Sequence, residues 1–360
     1  MDIIPASDLL EREVAPAETE ACRIAILSTP RTGNTWLRRL LDSIYSLPQV
    51  VADTPGDVDW DQLPSRCILQ LHWPLDIALQ SVLSKHEFKV VTLFRNPCDT
   101  LISILHFATV WKNTNLWMGG LKGDETSIVG TRPCSREFAE YVSSERAKLL
   151  ISASADWAET EGCLTVSYES LVHDTTRELI RATEHLQPAP AEVISAAIEA
   201  NSIAKLRSSV QNQHFWRGQP GIWKTLLPHE LVRDIYRHHS AAFEAMSYPS
   251  NDDHRLSQSE ADANWTGLEL ATMRQEMAES RRQLKQATDE LNQSRWKIRD
   301  LEVAFEKAHA SIEPLVEVGP TILSLSTRVN RITRFCGGAM ASIRHHLGLN
   351  GKSIRKGCET

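Results

Sequence analysis

Through about residue 250, apolar positions alternate between short unbroken runs and spacings of three and four. Residues 24–27 form such a run, 28–33 are turn-rich, and Trp36, Leu37, Leu40 and Leu41 then recur at helical spacing, which predicts a strand, a tight loop and a helix. A second short strand pattern, Cys67-Ile-Leu-Gln-Leu-His72, is stopped by Pro74. Residues 88–94 are almost continuously apolar, as expected of a strand buried on both faces of a parallel sheet, and 163–168 make a fourth strand. Helical periodicity follows Asp99, a plausible N-cap, and returns over 136–158, 169–186, 190–205 and 226–248. Residues 48–64 and 113–133 are polar and rich in turn formers, and read as loops. The alternation predicts an α/β domain with a mainly parallel sheet flanked by helices.

From about Asp262 the period changes. Leu270, Met277, Leu284, Leu291, Ile298, Phe305 and Ile312 recur every seven residues, with Met273, Ala287, Leu301 and Ala308 among the positions three later. Ser280 and Ser294 weaken this second set. Glu269 with Arg274, Glu276 with Arg281, Glu290 with Arg295 and Lys297 with Glu302 carry opposite signs at successive g and e positions. This predicts a coiled coil over 262–313 that pairs two copies as a parallel homodimer; a single amphipathic helix lying on its own domain is the alternative. The expected organisation is an N-terminal extension (1–22), the α/β domain (23–249), a linker (250–261), the coiled coil and a tail (314–360). Residues 319–360 hold seven Lys or Arg against one Glu, beside an apolar stripe of Ile322, Leu325, Val329, Ile332 and Phe335. Such a tail suits an anionic membrane surface or a partner.

Composition narrows the classes. At 360 residues and 42% hydrophobic the chain can bury a sizeable core, and a net charge of −7 gives no case for nucleic-acid binding. The seven cysteines are scattered, with no C-x-x-C pair, which suits a reducing compartment rather than a disulfide scaffold or zinc site. The first 21 residues lack a signal-peptide pattern and no run reaches the length of a membrane span. These features place the protein in the cytoplasm, with peripheral contact at the inner membrane face through the tail.

The candidate chemistry lies where predicted strands end. A strand-to-helix loop collects unpaired N–H groups at the positive end of the helix dipole, a natural seat for phosphate or sulfate. Arg31 adds a fixed charge there, the Thr32 and Thr35 hydroxyls add donors, and Gly33 lets the backbone approach closely. The loop has no lysine and is not a Walker A motif. His72 and Arg95 fall at the ends of the next two strands, so Arg31, His72 and Arg95 are expected to face one crevice at the carboxyl edge of the sheet. Residues 214–224 hold two Trp, two Gly and the basic Arg217 and Lys224, and read either as a packed aromatic loop or as a flap closing on an anion.

Four blocks in order resemble the sulfotransferases that use 3′-phosphoadenosine 5′-phosphosulfate (PAPS). Thr29-Pro-Arg-Thr-Gly-Asn-Thr-Trp36 resembles the family's 5′-phosphosulfate loop, and Gln70-Leu-His-Trp-Pro74 the segment with its catalytic histidine. Arg95 and Ser103, eight apart in Arg95-Asn-Pro-Cys-Asp-Thr-Leu-Ile-Ser103, resemble its 3′-phosphate motif. Arg217-Gly-Gln-Pro-Gly-Ile-Trp-Lys224 resembles its late loop, and Tyr168 a tyrosine lining the nucleotide site. The loop has Arg31 where the cytosolic small-molecule branch usually has lysine, as many bacterial and carbohydrate-directed members also do, and Trp216 precedes Arg217 where a basic pair is common. The resemblance implies sulfuryl transfer from PAPS to a hydroxyl or amine, with His72 as general base and no metal. It assigns Arg31, Thr32, Gly33, Asn34 and Thr35 to the 5′-phosphosulfate, and Arg95, Ser103, Arg217 and Gly218 to the 3′-phosphate. Trp36 and Tyr168 go to the adenine. A carbohydrate or glycolipid is the expected acceptor; a P-loop kinase and an inactive nucleotide-binding adaptor are the rival readings.

Overall fold

The computed structural model describes residues 21–110, 114–208, 218–250, 253–316 and 323–346. They form two compact units, one ending at Ala271 and one beginning at Thr272. The first contains a sheet of five strands, β1 (Cys22–Leu27), β2 (Gln49–Ala52), β3 (Arg66–Leu71), β4 (Lys89–Phe94) and β5 (Leu164–Ser167), in the order β2-β3-β1-β4-β5. All four pairings are parallel, so the mainly parallel α/β architecture is the one formed. Helix α1 (Asn34–Tyr45) follows β1, α2 (Ile77–Lys85) separates β3 from β4, and α3 (Pro97–Val110), α4 (Arg136–Val142) and α5 (Glu145–Ala158) precede β5. Beyond it lie α6 (Tyr168–His173), α7 (Thr175–Leu186), α8 (Ala191–Ala200), α9 (Ile203–Ser208), α10 (Trp223–Leu226) and α11 (His229–Ala245). Two long helices, α12 (Gln258–Val316) and α13 (Leu323–His346), complete the described chain.

The unbroken apolar runs arise because the central strands are covered on both faces. Ile24, Ile26, Ile68, Val91 and Leu93 pack with Leu37, Leu40 and Leu41 of α1 and Leu179 of α7. Alternate residues Ala25, Leu27, Cys67, Leu69 and Leu71 pack with Leu79 and Leu83 of α2 and Trp157 of α5. A further core joins α3, α5 and α11.

Several elements differ from the sequence expectation. Strand β2 lies in the expected loop 48–64; its Val51 is 63% exposed, so it forms by backbone pairing with β3 at the sheet edge rather than by an apolar run. Helix α2 has no strong periodic signature and is set by Asp76, whose carboxylate accepts from the Ala78 N–H at 2.7 Å. Two long helical patterns are each split by an internal cap, Ser144 before α5 and Asp174 before α7. Helix α3 starts at Pro97, with the Asn96 side chain accepting from the Cys98 N–H at 3.0 Å, so Asp99 is not its cap.

The first unit continues to Ala271 because Ala261 and Trp265 of α12 are buried in it. Glu269, a g position of the heptad, bonds Arg132 at 2.6 Å within the chain. In the second unit the heptad residues Met277, Leu284, Leu291 and Phe305 are exposed, as are Ile332 and Phe335 of α13. Among the described residues no helix is long and apolar enough to cross a membrane. Most of the N-terminal extension, Ile322 and residues 347–360 of the tail lie outside the described residues.

One buried ion pair holds the segment between α3 and α4 against the fold. Arg146 Nε meets Glu125 Oε1 at 2.8 Å, both side chains being almost fully buried. The same guanidinium donates to the carbonyls of Leu121 and Trp117, and the Tyr141 hydroxyl donates to Glu125. Removing one partner leaves the other as a buried, uncompensated charge. Arg146→Met is expected to lower the free energy of unfolding by about 3–5 kcal/mol in urea titration; a loss below about 1 kcal/mol would show that Glu125 finds another partner.

Candidate active site

The carboxyl ends of β3, β1 and β4 meet where the strand order turns about β1, the place at which open parallel sheets bind ligands. The connection from β1 to α1 is braced internally. The Thr29 N–H donates to Ser154 Oγ at 2.8 Å and its hydroxyl to the Leu150 carbonyl at 2.6 Å, tying the loop to α5. The Thr32 hydroxyl and the Asn34 amide both donate to the Thr29 carbonyl, and the Ser28 hydroxyl donates to Asn34 Oδ1. These polar groups are consumed in shaping the loop, which leaves the first N–H groups of α1 at its mouth. Gly33 caps α1 with φ of 107°, and a Cβ there would stand 2.6 Å from Tyr168 Cδ2.

Two guanidiniums converge beside this loop. Arg31, with φ of 70°, donates through Nε to Ser103 Oγ at 3.3 Å and lies 4.1 Å from the centre of the Phe107 ring. Arg95 lies 4.6 Å from the centre of the Tyr168 ring, donates to the Arg31 carbonyl at 3.4 Å, and has no hydrogen-bond partner at Nε. Burial first, and then the Arg95 charge, pull Arg31 down to about 9, so it remains a cation at neutral pH but a poorly solvated one. None of the described residues lining the crevice is Asp or Glu. The nearest carboxylate to Arg95 is Asp99, at 3.9 Å, and it is already accepting two backbone N–H groups.

His72 stands just past the end of β3. Its Nδ1 is 2.8 Å from the Ser28 carbonyl oxygen, which can only accept, so Nδ1 carries the proton and Nε2 of the neutral ring presents a lone pair. Burial lowers its pKa to about 4, opposed by the Ser28 bond and assisted by the Arg31 and Arg38 charges. The Trp117 ring contacts His72 edge-on and stacks on Phe107.

The opposite wall is aromatic. Trp36 donates from Nε1 to the Asn201 carbonyl at 3.0 Å and meets Tyr168 edge-on. The Tyr168 hydroxyl donates to the Gly218 carbonyl at 2.9 Å, while buried Asp99 accepts from the N–H groups of Gly221 at 2.6 Å and Trp223 at 3.0 Å. Asp99 is therefore a latch for the late loop. The crevice has about 110 Å³ of room for water-sized groups and is partly open to solvent.

Arg31, Gly33, Asn34, Thr35, Trp36, His72, Arg95, Ser103, Tyr168 and Gly218 all line this one crevice. Thr32 is buried with its hydroxyl turned into the loop and is not among the lining residues. Arg217 lies outside the described residues. Sequence reasoning missed Gln70, Phe107 and Trp117 on the walls, and the roles of Ser154 and Asp99. Only Gln70 carried a signal, standing two residues before His72 on a strand and thus on the same face.

The fold is a parallel α/β sheet with a crevice at its carboxyl edge that holds Arg31 and Arg95 and no Asp or Glu among its described lining residues. The chain matches the sulfotransferase domain family over residues 49–247, more than half its length, and belongs to that family. The matched region begins beyond the Thr29-to-Trp36 loop. Cytosolic sulfotransferase 12 of Arabidopsis thaliana is 21% identical over 261 residues, covering 61% of this chain and 77% of the relative. Sulfotransferase 6B1 of Mus musculus is 28% identical over 102 residues, covering 25% of this chain, which thus spans 33% of that relative's length. A crystal structure of mouse sulfotransferase SULT7A1 complexed with PAP is similar with a TM-score of 0.47 and 16% identity, covering 64% of this chain and 90% of that one.

Gly33→Ala tests the loop geometry. A side chain at this positive φ, set against the Tyr168 ring, is expected to cost about 1–3 kcal/mol of unfolding free energy and to alter tyrosine and tryptophan fluorescence. An unchanged urea midpoint would show that the loop and ring adapt without strain.

Proposed function

We propose that the protein transfers a sulfuryl group from PAPS to a hydroxyl or amine of an acceptor, a carbohydrate or glycolipid by preference, with His72 as general base. The observation that carries this reading is a histidine locked with its Nε2 lone pair available, in one crevice with Arg31 and Arg95, where none of the described lining residues is Asp or Glu. The chain's residues fit two anionic groups joined by a nucleoside. Arg31, the first N–H groups of α1 and the Thr35 hydroxyl hold the 5′-phosphosulfate, and Gly33 permits its close approach. Arg95 and Ser103 hold the 3′-phosphate, with Gly218 beside it. Trp36 and Tyr168 flank the adenine, while Thr32 and Asn34 keep the loop in shape.

Bound PAPS supplies the sulfuryl group. His72 Nε2 takes the proton of the acceptor hydroxyl or amine as that atom bonds to sulfur, and the electrons of the breaking sulfur–oxygen bond stay with the departing phosphate oxygen. Arg31 lies where that negative charge grows, so its interaction is stronger in the transition state than before it. Positioning and charge stabilisation supply the acceleration, as in phosphoryl transfer.

Calorimetric titration with 3′,5′-bisphosphoadenosine should show binding that Arg95→Ala weakens by about tenfold or more. His72→Ala should keep that binding while abolishing PAPS-dependent turnover on a panel of glycosides and phenols. Retained turnover would remove His72 from its role. Because the base acts in its neutral form and burial holds it near 4 rather than 6.5, kcat/KM should persist through pH 6 and fall only as pH approaches about 4.

We also read the heptads of α12 as a parallel homodimer. Support comes from exposed Met277, Leu284, Leu291 and Phe305 and from opposite charges at Glu276 and Arg281, Glu290 and Arg295, and Lys297 and Glu302. Light scattering of the full chain should give twice 40.5 kDa, and Leu284→Glu with Leu291→Glu should give the single mass. A dimer unmoved by those changes would place the interface elsewhere.

A further inference from the structure

Helix α10 (Trp223–Leu226) is a single turn of four residues, and a helix that short does not hold its shape alone in water. It begins directly after Ile222, which lines the crevice together with Gly218. The stretch 218–222 forms no helix or strand of its own, so its place against the crevice is set by whatever fixes α10 and the residues before it. On the crevice side those anchors are Tyr168, which donates to the Gly218 carbonyl, and Asp99, which accepts from the N–H groups of Gly221 and Trp223.

The far end of α10 is held by the chain between α11 and α12. His254 donates from Nε2 to the Leu227 carbonyl at 2.7 Å, and its ring meets that of Trp223 edge-on with centres 5.1 Å apart. Asn264, in the second turn of α12, donates to the Thr225 carbonyl at 2.9 Å. The Leu256 carbonyl accepts from the N–H of His229, the first residue of α11, at 2.9 Å, which fastens the same stretch of chain. The last carbonyls of a helix have no partners within it, so His254 and Asn264 cap α10 from outside. Trp223, only 3% exposed, is thus gripped twice, its backbone by Asp99 of α3, the helix that carries Ser103, and its ring by His254. A shift of that ring carries with it the backbone of Trp223 and of the adjoining Ile222, which forms part of the crevice wall.

We infer that His254 is a positioning residue for this loop. Acting through Trp223 and Leu227, it keeps residues 218–222 against the crevice, so the segment leading into the long C-terminal helix sets how long a bound nucleotide stays. The inference rests on the sulfuryl-transfer reading, in which Gly218 stands beside the 3′-phosphate.

The test uses the full chain. Affinity for 3′,5′-bisphosphoadenosine is measured by calorimetry and its dissociation by stopped-flow tryptophan fluorescence, with the urea midpoint of each variant. His254→Ala should weaken binding by about 3- to 10-fold, nearly all of it as faster dissociation. His254→Gln, which keeps a donor for the Leu227 carbonyl, should recover part of the loss. Asn264→Asp, of the same size but without a donor, should act in the same direction by a smaller factor, and as a change at an exposed position it keeps the test decisive should His254→Ala fail to fold. Arg132→Gln is the control, because Arg132 bonds Thr266 and Glu269 of α12 rather than α10; it should leave affinity and dissociation unchanged whatever it does to the urea midpoint. Unchanged affinity in the His254 and Asn264 variants, equal weakening in Arg132→Gln, or weakening that comes from slower association overturns the inference and leaves the sulfuryl-transfer reading standing. Failure of the wild-type protein to bind bisphosphoadenosine removes that reading and the inference with it.

Discussion

Two guanidiniums held close together away from bulk water are the constraint around which the first unit is arranged. Burial first, and then repulsion by the Arg95 charge where water screens poorly, pulls Arg31 down to about 9. Among the described residues lining the crevice none is Asp or Glu. The chain spreads the cations over aromatic faces, Arg31 on Phe107 and Arg95 on Tyr168, and supplies a neutral acceptor in Ser103.

Rigidity for this arrangement comes from outside the crevice. Ser154 on α5 and the Thr29 bonds hold the loop after β1. Asp99, one turn after Arg95, spends its charge on the amides of Gly221 and Trp223, so the helix that places Arg95 and Ser103 also anchors the late loop. The Glu125–Arg146 pair serves the wall on the other side, fastening through the Trp117 carbonyl the residue that touches His72. A buried charge pair contributes little net stability, but it fixes one arrangement where an apolar contact would allow several.

The layout was legible in the sequence wherever one physical requirement dominated. Runs such as 88–94 announce a doubly covered strand, and a strand ending in Arg95 or His72 places that residue at the ligand edge regardless of the surrounding loops. Legibility failed where structure depends on partners distant in the chain. Strand β2 exists because β3 offers it backbone groups, and Asp99 looks like a helix cap until the loop more than a hundred residues later is seen to use it. Thr32 and Thr35 look alike as hydroxyl donors in one loop, yet the Thr32 hydroxyl is turned inward by the Thr29 carbonyl, while Thr35 lines the crevice. Glu269 fits the heptad in charge, and Arg132 claims it within the chain.

The Ser28 carbonyl links the two halves of the site. It is the first residue of the loop that carries Arg31, and it is also the acceptor that fixes the His72 tautomer. On the proposed reading, a displacement of the loop that moved Arg31 would also lengthen the Ser28–His72 bond and free the ring to place its proton on Nε2, pointing a donor at the acceptor group that is to lose its own proton. On that reading the anion seat and the base form one mechanical unit. Ser28 also donates to Asn34, at the first turn of α1, so the same residue ties the start of that helix to the histidine. On the proposed reading, ligand capture and readiness for proton transfer draw on the same few hydrogen bonds.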